Sequence, residues 1–561
     1  MIGPRPFWRV PWALTIAGWL VAAVTATAGT WVPLVNTAPG GVQLMLLMTD
    51  GTIACYDGDG DAVTGGDWYK LTPSSSGSYI NGTWSAMATM HDSRRYQSSQ
   101  VLRSGKILMA GGEYGTGANT AEVYDPLANT WTLTPSPGVT DFTDSASMML
   151  PDGRVLVSPV NHGTITYGTK IYDPVANSWV NGPATFKNQN ESSWVKLPDD
   201  SILTIDVNST TTERYIPSLN KWIHDANCTV QLFGNGTGNG SEIGPGLLLP
   251  DGRAFFIGAN GNTAFYTPSG NTNYGSWATG PDLPNSQSCP DAPGAVMING
   301  KVLFTCSPIG FGTDKTNIFT KPTSYYEYDP VANTFARQNA PTGGLTDNRQ
   351  SYTTCMLCLP DGNILYSDEG SQLYIYQPGG SALASAKPAI TGVKWHGNGT
   401  VEVSGVRFNG LNAGAAYGDD LQMDSNYPLV RFVSGSSVYY GRTYNWSSTG
   451  VATGGQLVTT ELTLPTTVFY NPGAYSMYVV ANGVPSNPVT FYGPLWVDFN
   501  YSGFPIEIGT YSFPYNTLAE GVSAVATGGT IALKPGARKE VITITKAMNI
   551  IAVGGTVTIG N

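Results

Sequence analysis

The chain has 561 residues with 68 Gly, 38 Pro, 11% aromatic and only 12% charged residues, which excludes a disordered acidic chain and a charge-rich helical protein. Its 28 Lys and Arg stand against 39 Asp and Glu, a net charge of −11 with no basic cluster, so the footprint that nucleic acid requires is missing. Gly and Pro punctuate short apolar runs along the whole chain, the distribution expected of an all-β protein rich in turns.

At the N-terminus, Arg5 and Arg9 precede an uncharged run from Val10 to Ala28 that ends Ala26-Thr27-Ala28. These charged, apolar and small-residue regions predict a secretory signal peptide over residues 1–28, and hence a secreted or cell-surface protein. After cleavage no remaining segment is long and apolar enough to span a membrane. Six cysteines permit disulfides in an exported chain but are too sparse to be its framework. Cys355 and Cys358 are three apart on an expected strand and face opposite sides, which argues against a mutual bond or a zinc site there. Cys55, Cys228, Cys289 and Cys306 are available to pair, in combinations their spacing does not decide. Asp57 to Asp61 resemble the start of a calcium loop, but Ala62 and Trp68 occupy the positions that need Gly and Glu, so a turn is expected.

Residues 29–386 are dominated by a repeat. Apolar runs flank tight turns at Gly51, Gly105, Gly153, Asp200, Gly252, Gly300 and Gly362, as in LPDGRVLV and LPDGNILY. A second mark follows most of them: VYDPLANTW at Tyr124, IYDPVANSW at Tyr172, RYIPSLNKW at Tyr215 and EYDPVANTF at Tyr328. Each unit of about 50 residues reads as a four-stranded blade of kelch type, and seven units imply a seven-bladed β-propeller.

This repeat resembles the propeller of the galactose oxidase and glyoxal oxidase family. The likeness continues through PAITGVKW, YGDDLQMDSNYPLVRF and GAYSMYVVANGVPS, similar to the immunoglobulin-like early-set domain of those oxidases, expected here over residues 387–494. The family implies a copper ion held by two Tyr and two His, one Tyr crosslinked to a Cys. The resemblance puts Tyr96 of RRYQSSQVL at the crosslinked tyrosine, Tyr114 near its stacking aromatic, and Tyr352 at the second tyrosine. It puts Thr353 where the family has histidine and Val42 where it has the cysteine, and the loop after NYPLVRF, where the other histidine is sought, has none. The chain's four histidines are His91, His162, His224 and His396. Copper(II) favours imidazole, so no cofactor is expected and copper is disfavoured.

Over residues 495–561, Thr517 and Glu520 form a capping box for a short helix bearing Leu518, Val522 and Val525. GGTIALKPG, EVITIT, MNIIAVGG and TVTIG then read as rungs of a short parallel β-helix. The expected fold is therefore all-β: propeller, immunoglobulin-like sandwich, and a β-helix-like end with a capping helix.

Positions at or beside the ninth residue before each turn mark where inner strands begin at the channel mouth. They include Tyr96, Asp144, Glu191, Glu242, Asp291 and Tyr352, and Tyr114, His162, Asp368 and Glu369 follow the second strands onto the same rim. Such an acidic and aromatic mouth can hydrogen-bond and stack on a hydroxylated ligand. The expectation is a non-catalytic propeller that binds glycan or another extracellular polymer, with other surface proteins as further partners. The alternatives are an oxidase of alcohols or aldehydes with a rearranged copper site, and a structural envelope or matrix component.

Overall fold

The computed structural model describes Gly3 and residues 29–57, 65–143, 145–158, 168–187, 189, 192–234, 242–310, 319–396, 399–417 and 425–560. The expected signal peptide, except Gly3, and residues 58–61 of the acidic turn lie outside this set. Among the described residues, no helix is long and apolar enough to cross a membrane.

Antiparallel sheets form seven blades whose inner strands are Val42–Leu47, Ser98–Val101, Ser147–Met149, Trp194–Lys196, Gly246–Leu248, Pro293–Val296 and Cys355–Cys358. The same two devices shape blade after blade. In the inner hairpin a side chain, Asx in six blades and Ser104 in the second, accepts the N–H two residues on, as Asp152 does from Arg154 at 3.0 Å, and the residue between is left-handed. Six of these positions hold Gly, from Gly51 at φ 76° to Gly362 at 90°; the fourth blade places Asp200 there, at φ 64°. In the outer hairpin a Tyr hydroxyl donates to an Asn carbonyl oxygen five residues on, with the Asn left-handed: Tyr124 to Asn129 (2.9 Å), Tyr172 to Asn177 (2.9 Å), Tyr215 to Asn220 (2.8 Å) and Tyr328 to Asn333 (2.7 Å). That turn sets the Tyr opposite a Trp or Phe, which then packs into the neighbouring blade; Trp131 thus meets Tyr124 at 5.1 Å and Trp68 of the first blade at 5.3 Å.

The ring is closed by the strand Thr30–Pro33, which pairs as the outermost strand of the seventh blade, with Trp31 opposite Tyr376. First and last segments of the propeller thereby share one sheet. Trp31 lies against the rings of Tyr325, Tyr366 and Tyr376 at 5.7, 5.2 and 4.7 Å.

A second, curled antiparallel sheet runs from Ala389–Trp395 to Val489–Gly493 around a core of Val403, Phe432, Leu462, Met477 and Phe491. It docks on the propeller face made by the inner hairpin turns. Thr443 N–H donates to Thr49 O (3.2 Å), Asn445 N–H to Arg103 O (2.5 Å), and the buried Lys196 ammonium reaches Met149 O (2.7 Å) and Thr449 O (2.5 Å). From this sheet the strand Ala415–Tyr417 enters the propeller and pairs antiparallel with the sixth inner strand, Tyr417 opposite Pro293.

In the last segment the strands Leu495–Val497, Thr530–Leu533 and Asn549–Ala552 are parallel neighbours, and Gly536–Arg538 pairs in parallel with Val557–Ile559. The Thr517–Glu520 capping box opens the helix Leu518–Ala524, and Leu518, Val522 and Val525 enter the local core. EVITIT differs from expectation and forms no strand. Glu540 is drawn to the helix start instead, accepting the N–H groups of Leu518 (3.0 Å) and Ala519 (2.8 Å), so the chain after it covers the helix rather than joining the rungs.

Candidate functional site

Inner strands run the same way around the channel, so their first residues share the mouth opposite the docked sheet. Tyr96 stands there just before Ser98–Val101 at φ 52°, a conformation a bulky residue adopts only when its surroundings hold it. The restraint is the preceding arginine pair. Arg94 is fully buried and donates to Gly111 O, Gly117 O and Thr120 O at 2.9, 2.6 and 2.9 Å and to Glu122 at 3.1 Å, while its carbonyl accepts the Tyr56 hydroxyl at 2.5 Å. Arg94 and Arg95 pair in a short ladder with Tyr114 and Gly115, which brings the Tyr114 ring to 6.1 Å from that of Tyr96.

With Arg94 committed to the blade, Arg95 serves the mouth. Its guanidinium lies 4.9 Å from the centre of the Tyr96 ring, donates to the Tyr96 hydroxyl at 3.1 Å, and pairs with Glu369 of the seventh blade at 2.5 Å. Burial pushes the Tyr96 phenol well above its ordinary pKa, and Arg95 only partly offsets this. Tyr96 is therefore a neutral phenol whose proton remains available for donation. Tyr352 is close enough to act electrostatically on Tyr96, and Phe319 packs edge-on against Tyr352 at 4.8 Å. Behind them Arg349 holds Asp368 at 2.8 Å. Gln97, next to Tyr96, and Gln43, at the bulge opening the first inner strand, are buried with no hydrogen-bond partner for either amide atom among the described residues.

The structure thus brings Tyr96, Tyr114, Tyr352 and Glu369 together. Glu242 is buried just before the fifth inner strand, and Asp291 is half-buried just before the sixth, at φ 48°. Asp144, His162 and Glu191 lie outside the described residues. Arg95, Arg349, Phe319, Gln43 and Gln97 were not anticipated. Sequence carried a partial signal for Arg95 alone, since one member of the Arg-Arg-Tyr run had to face away from the blade once the other was buried.

Of the positions matched to the copper site of the resembling oxidases, two carry the tyrosines Tyr96 and Tyr352. The Tyr96 oxygen accepts a hydrogen bond from the Arg95 guanidinium at 3.1 Å. Thr353 donates to Gln350 O at 2.9 Å, and Val42 is wholly buried, accepting the Ser367 hydroxyl at its carbonyl (2.5 Å). His91 is bonded to Glu122 at 2.8 Å, His224 is stacked on Phe186 at 3.7 Å, and His396 closes the turn with Thr400. The loop after Phe432, where a histidine was sought, proves to be at the wrong end: Val438 donates to Ser75 O on the hairpin-turn face. The segment that enters the channel is instead the one around Ala415–Tyr417, and residues 411–427 contain no histidine either. Among the described residues, no group of three His, Cys, Asp or Glu side chains is placed to hold a metal ion.

No family model matches the chain, and no curated protein sequence matches it. Among solved structures it is similar to a novel fungal alcohol oxidase of the AA5 family in complex with copper, at 14% identity and a TM-score of 0.51, covering 83% of this chain and 100% of that one. That likeness shows a fold. With the seven blades it makes the propeller galactose-oxidase-like in architecture. Weaker similarities are to a streptogramin B lyase (12% identity, TM-score 0.40, 63% of this chain and 98% of the other) and to a catalytically inactive virginiamycin B lyase from Staphylococcus aureus with quinupristin (10%, 0.42, 62% and 98%).

Proposed function

We propose that this is a non-catalytic, secreted or cell-surface protein whose kelch-type propeller binds carbohydrate, or a similarly hydroxylated extracellular polymer, at the channel mouth. The observation that carries the reading is the Tyr96 cluster: a neutral phenol clamped by Arg95, with the Tyr114, Tyr352 and Phe319 rings nearby and the Arg95–Glu369 pair fixed between blades. Rings offer apolar faces for sugar C–H groups, while phenol, guanidinium and carboxylate offer donors and acceptors for hydroxyls. Residues 387–494 and 495–561 serve as spacer and assembly domains in this reading.

The alternative, an alcohol oxidase with copper, is opposed by the donor set, and fold likeness alone does not supply the activity. A glycan array probed with the wild type and with a Tyr96→Ala/Tyr352→Ala variant tests the proposal: binding is expected, and is lost in the variant. Stoichiometric copper in the purified protein together with peroxide production from alcohols would overturn it.

A further inference from the structure

The inner edge of the sixth blade is broken. Gln287–Ser288 pairs with the second strand as Gln287 opposite Pro308 and Ser288 opposite Ser307, whereas Pro293–Val296 pairs with the same strand as Gly294 opposite Phe304. Five residues, 289–293, therefore lie between pairs that only Thr305 and Cys306 separate on the other strand, and the excess forms a turn carrying Asp291 in the left-handed region at φ 48°. At the root of that turn the first register, continued by one pair, sets Cys289 opposite Cys306.

Side-chain contacts agree with the register. Both residues are wholly buried and their thiols are close enough to act on each other electrostatically, while Cys306 reaches Gln287 Oε1 at 3.5 Å and Ser324 O at 3.7 Å. Cys289 also donates to Thr305 O at 3.2 Å, while its own backbone N–H is spent on Gly258 O of the fifth blade at 3.0 Å. Directly opposed antiparallel residues have Cα atoms about 4.5–5.5 Å apart, inside the range a disulfide spans. The other cysteines are placed differently. Cys358 donates to Gly414 O at 2.7 Å, Cys55 and Cys355 share a core cluster but sit on strands of different blades, and Cys228 lies in the core between the fourth and fifth blades.

We propose that Cys289 and Cys306 form a cross-strand disulfide that staples the root of the Asp291 turn to the sixth blade, the other four cysteines remaining thiols. Two S–H bonds break and one S–S bond forms; the two protons and two electrons pass to the disulfide of a thiol–disulfide oxidoreductase or of glutathione, which is reduced to thiols. Because the native blade buries both sulfurs, the bond forms while the chain folds.

The test is oxidative refolding of the full chain in glutathione disulfide, followed by alkylation in denaturant without reductant and mass analysis. The expected product carries four alkyl groups, and its peptide map joins Cys289 to Cys306. Six alkyl groups, or a bond joining any other pair, overturns the proposal. A Cys289→Ser/Cys306→Ser variant is expected to keep four alkylatable thiols and to unfold about 5 °C lower than the oxidised wild type. An unchanged midpoint would refute the stapling role, and if the variant fails to fold the wild-type mass still decides.

Discussion

Glu213 is the most sharply predictive buried acid in the propeller. It lies in the fourth blade, 2% exposed, opposite His224 in the outer hairpin, with one carboxylate oxygen accepting the Phe186 N–H at 2.8 Å and the Gln189 amide at 3.4 Å. Burial pushes its pKa up to about 7 from an ordinary 4.5, and the hydrogen bonds from Phe186, Lys187 and Gln189 offset only part of that rise. Between about pH 4.5 and 7 the folded chain thus binds a proton that the unfolded chain has released. Stability must fall as pH rises through this window, by a ceiling of about 3 kcal/mol above pH 8. Glu213→Gln removes the titration while keeping an acceptor for Phe186. Thermal unfolding from pH 4.5 to 8.5 should show the variant gaining on the wild type as pH rises, with a difference on the order of 5 °C at the alkaline end. Two curves that run parallel across the window would refute the reasoning.

Two further substitutions test the frame. Trp31→Ala empties the space between Tyr325, Tyr366 and Tyr376 in the strand that closes the ring, and should cost roughly 3–5 kcal/mol in urea unfolding, whereas a loss under 1 kcal/mol would mean that the closing strand contributes little. Asp200→Gly puts the residue of the other six hairpins at φ 64° and should raise stability by up to about 1 kcal/mol in the same assay, unless the Asp200–Lys196 contact at 3.8 Å is worth more than the backbone strain it accompanies.

How far the sequence was legible follows from which features are local. The hairpins were readable because Asp152-Gly153 and Tyr172-Asp173-Pro174-Val175-Ala176-Asn177 carry their own turn chemistry within six residues. The ring closure was not, since Thr30–Pro33 bears no repeat mark and finds its partner some 340 residues away. Entry of Ala415–Tyr417 into the channel was equally hidden: a three-residue strand has no period of its own, and its register is set by Pro293–Val296. EVITIT alternates as a strand does, yet the long-range hold of Glu540 on the helix start prevails over its local preference. At the mouth, repeat spacing located Tyr96 and Tyr352, but the roles of Arg94 and Arg95 depended on Glu122 and Glu369, which no spacing connects to them.

The central claim is that the Tyr96 cluster binds a hydroxylated ligand without a metal. It is tested most directly by isothermal titration of an array-selected oligosaccharide into the wild type and the Tyr96→Ala/Tyr352→Ala variant, each with and without a copper chelator. The account predicts one site on the wild type, indifferent to chelator and weakened at least tenfold in the double variant. Binding that survives in the variant, or that vanishes with the chelator, would contradict it.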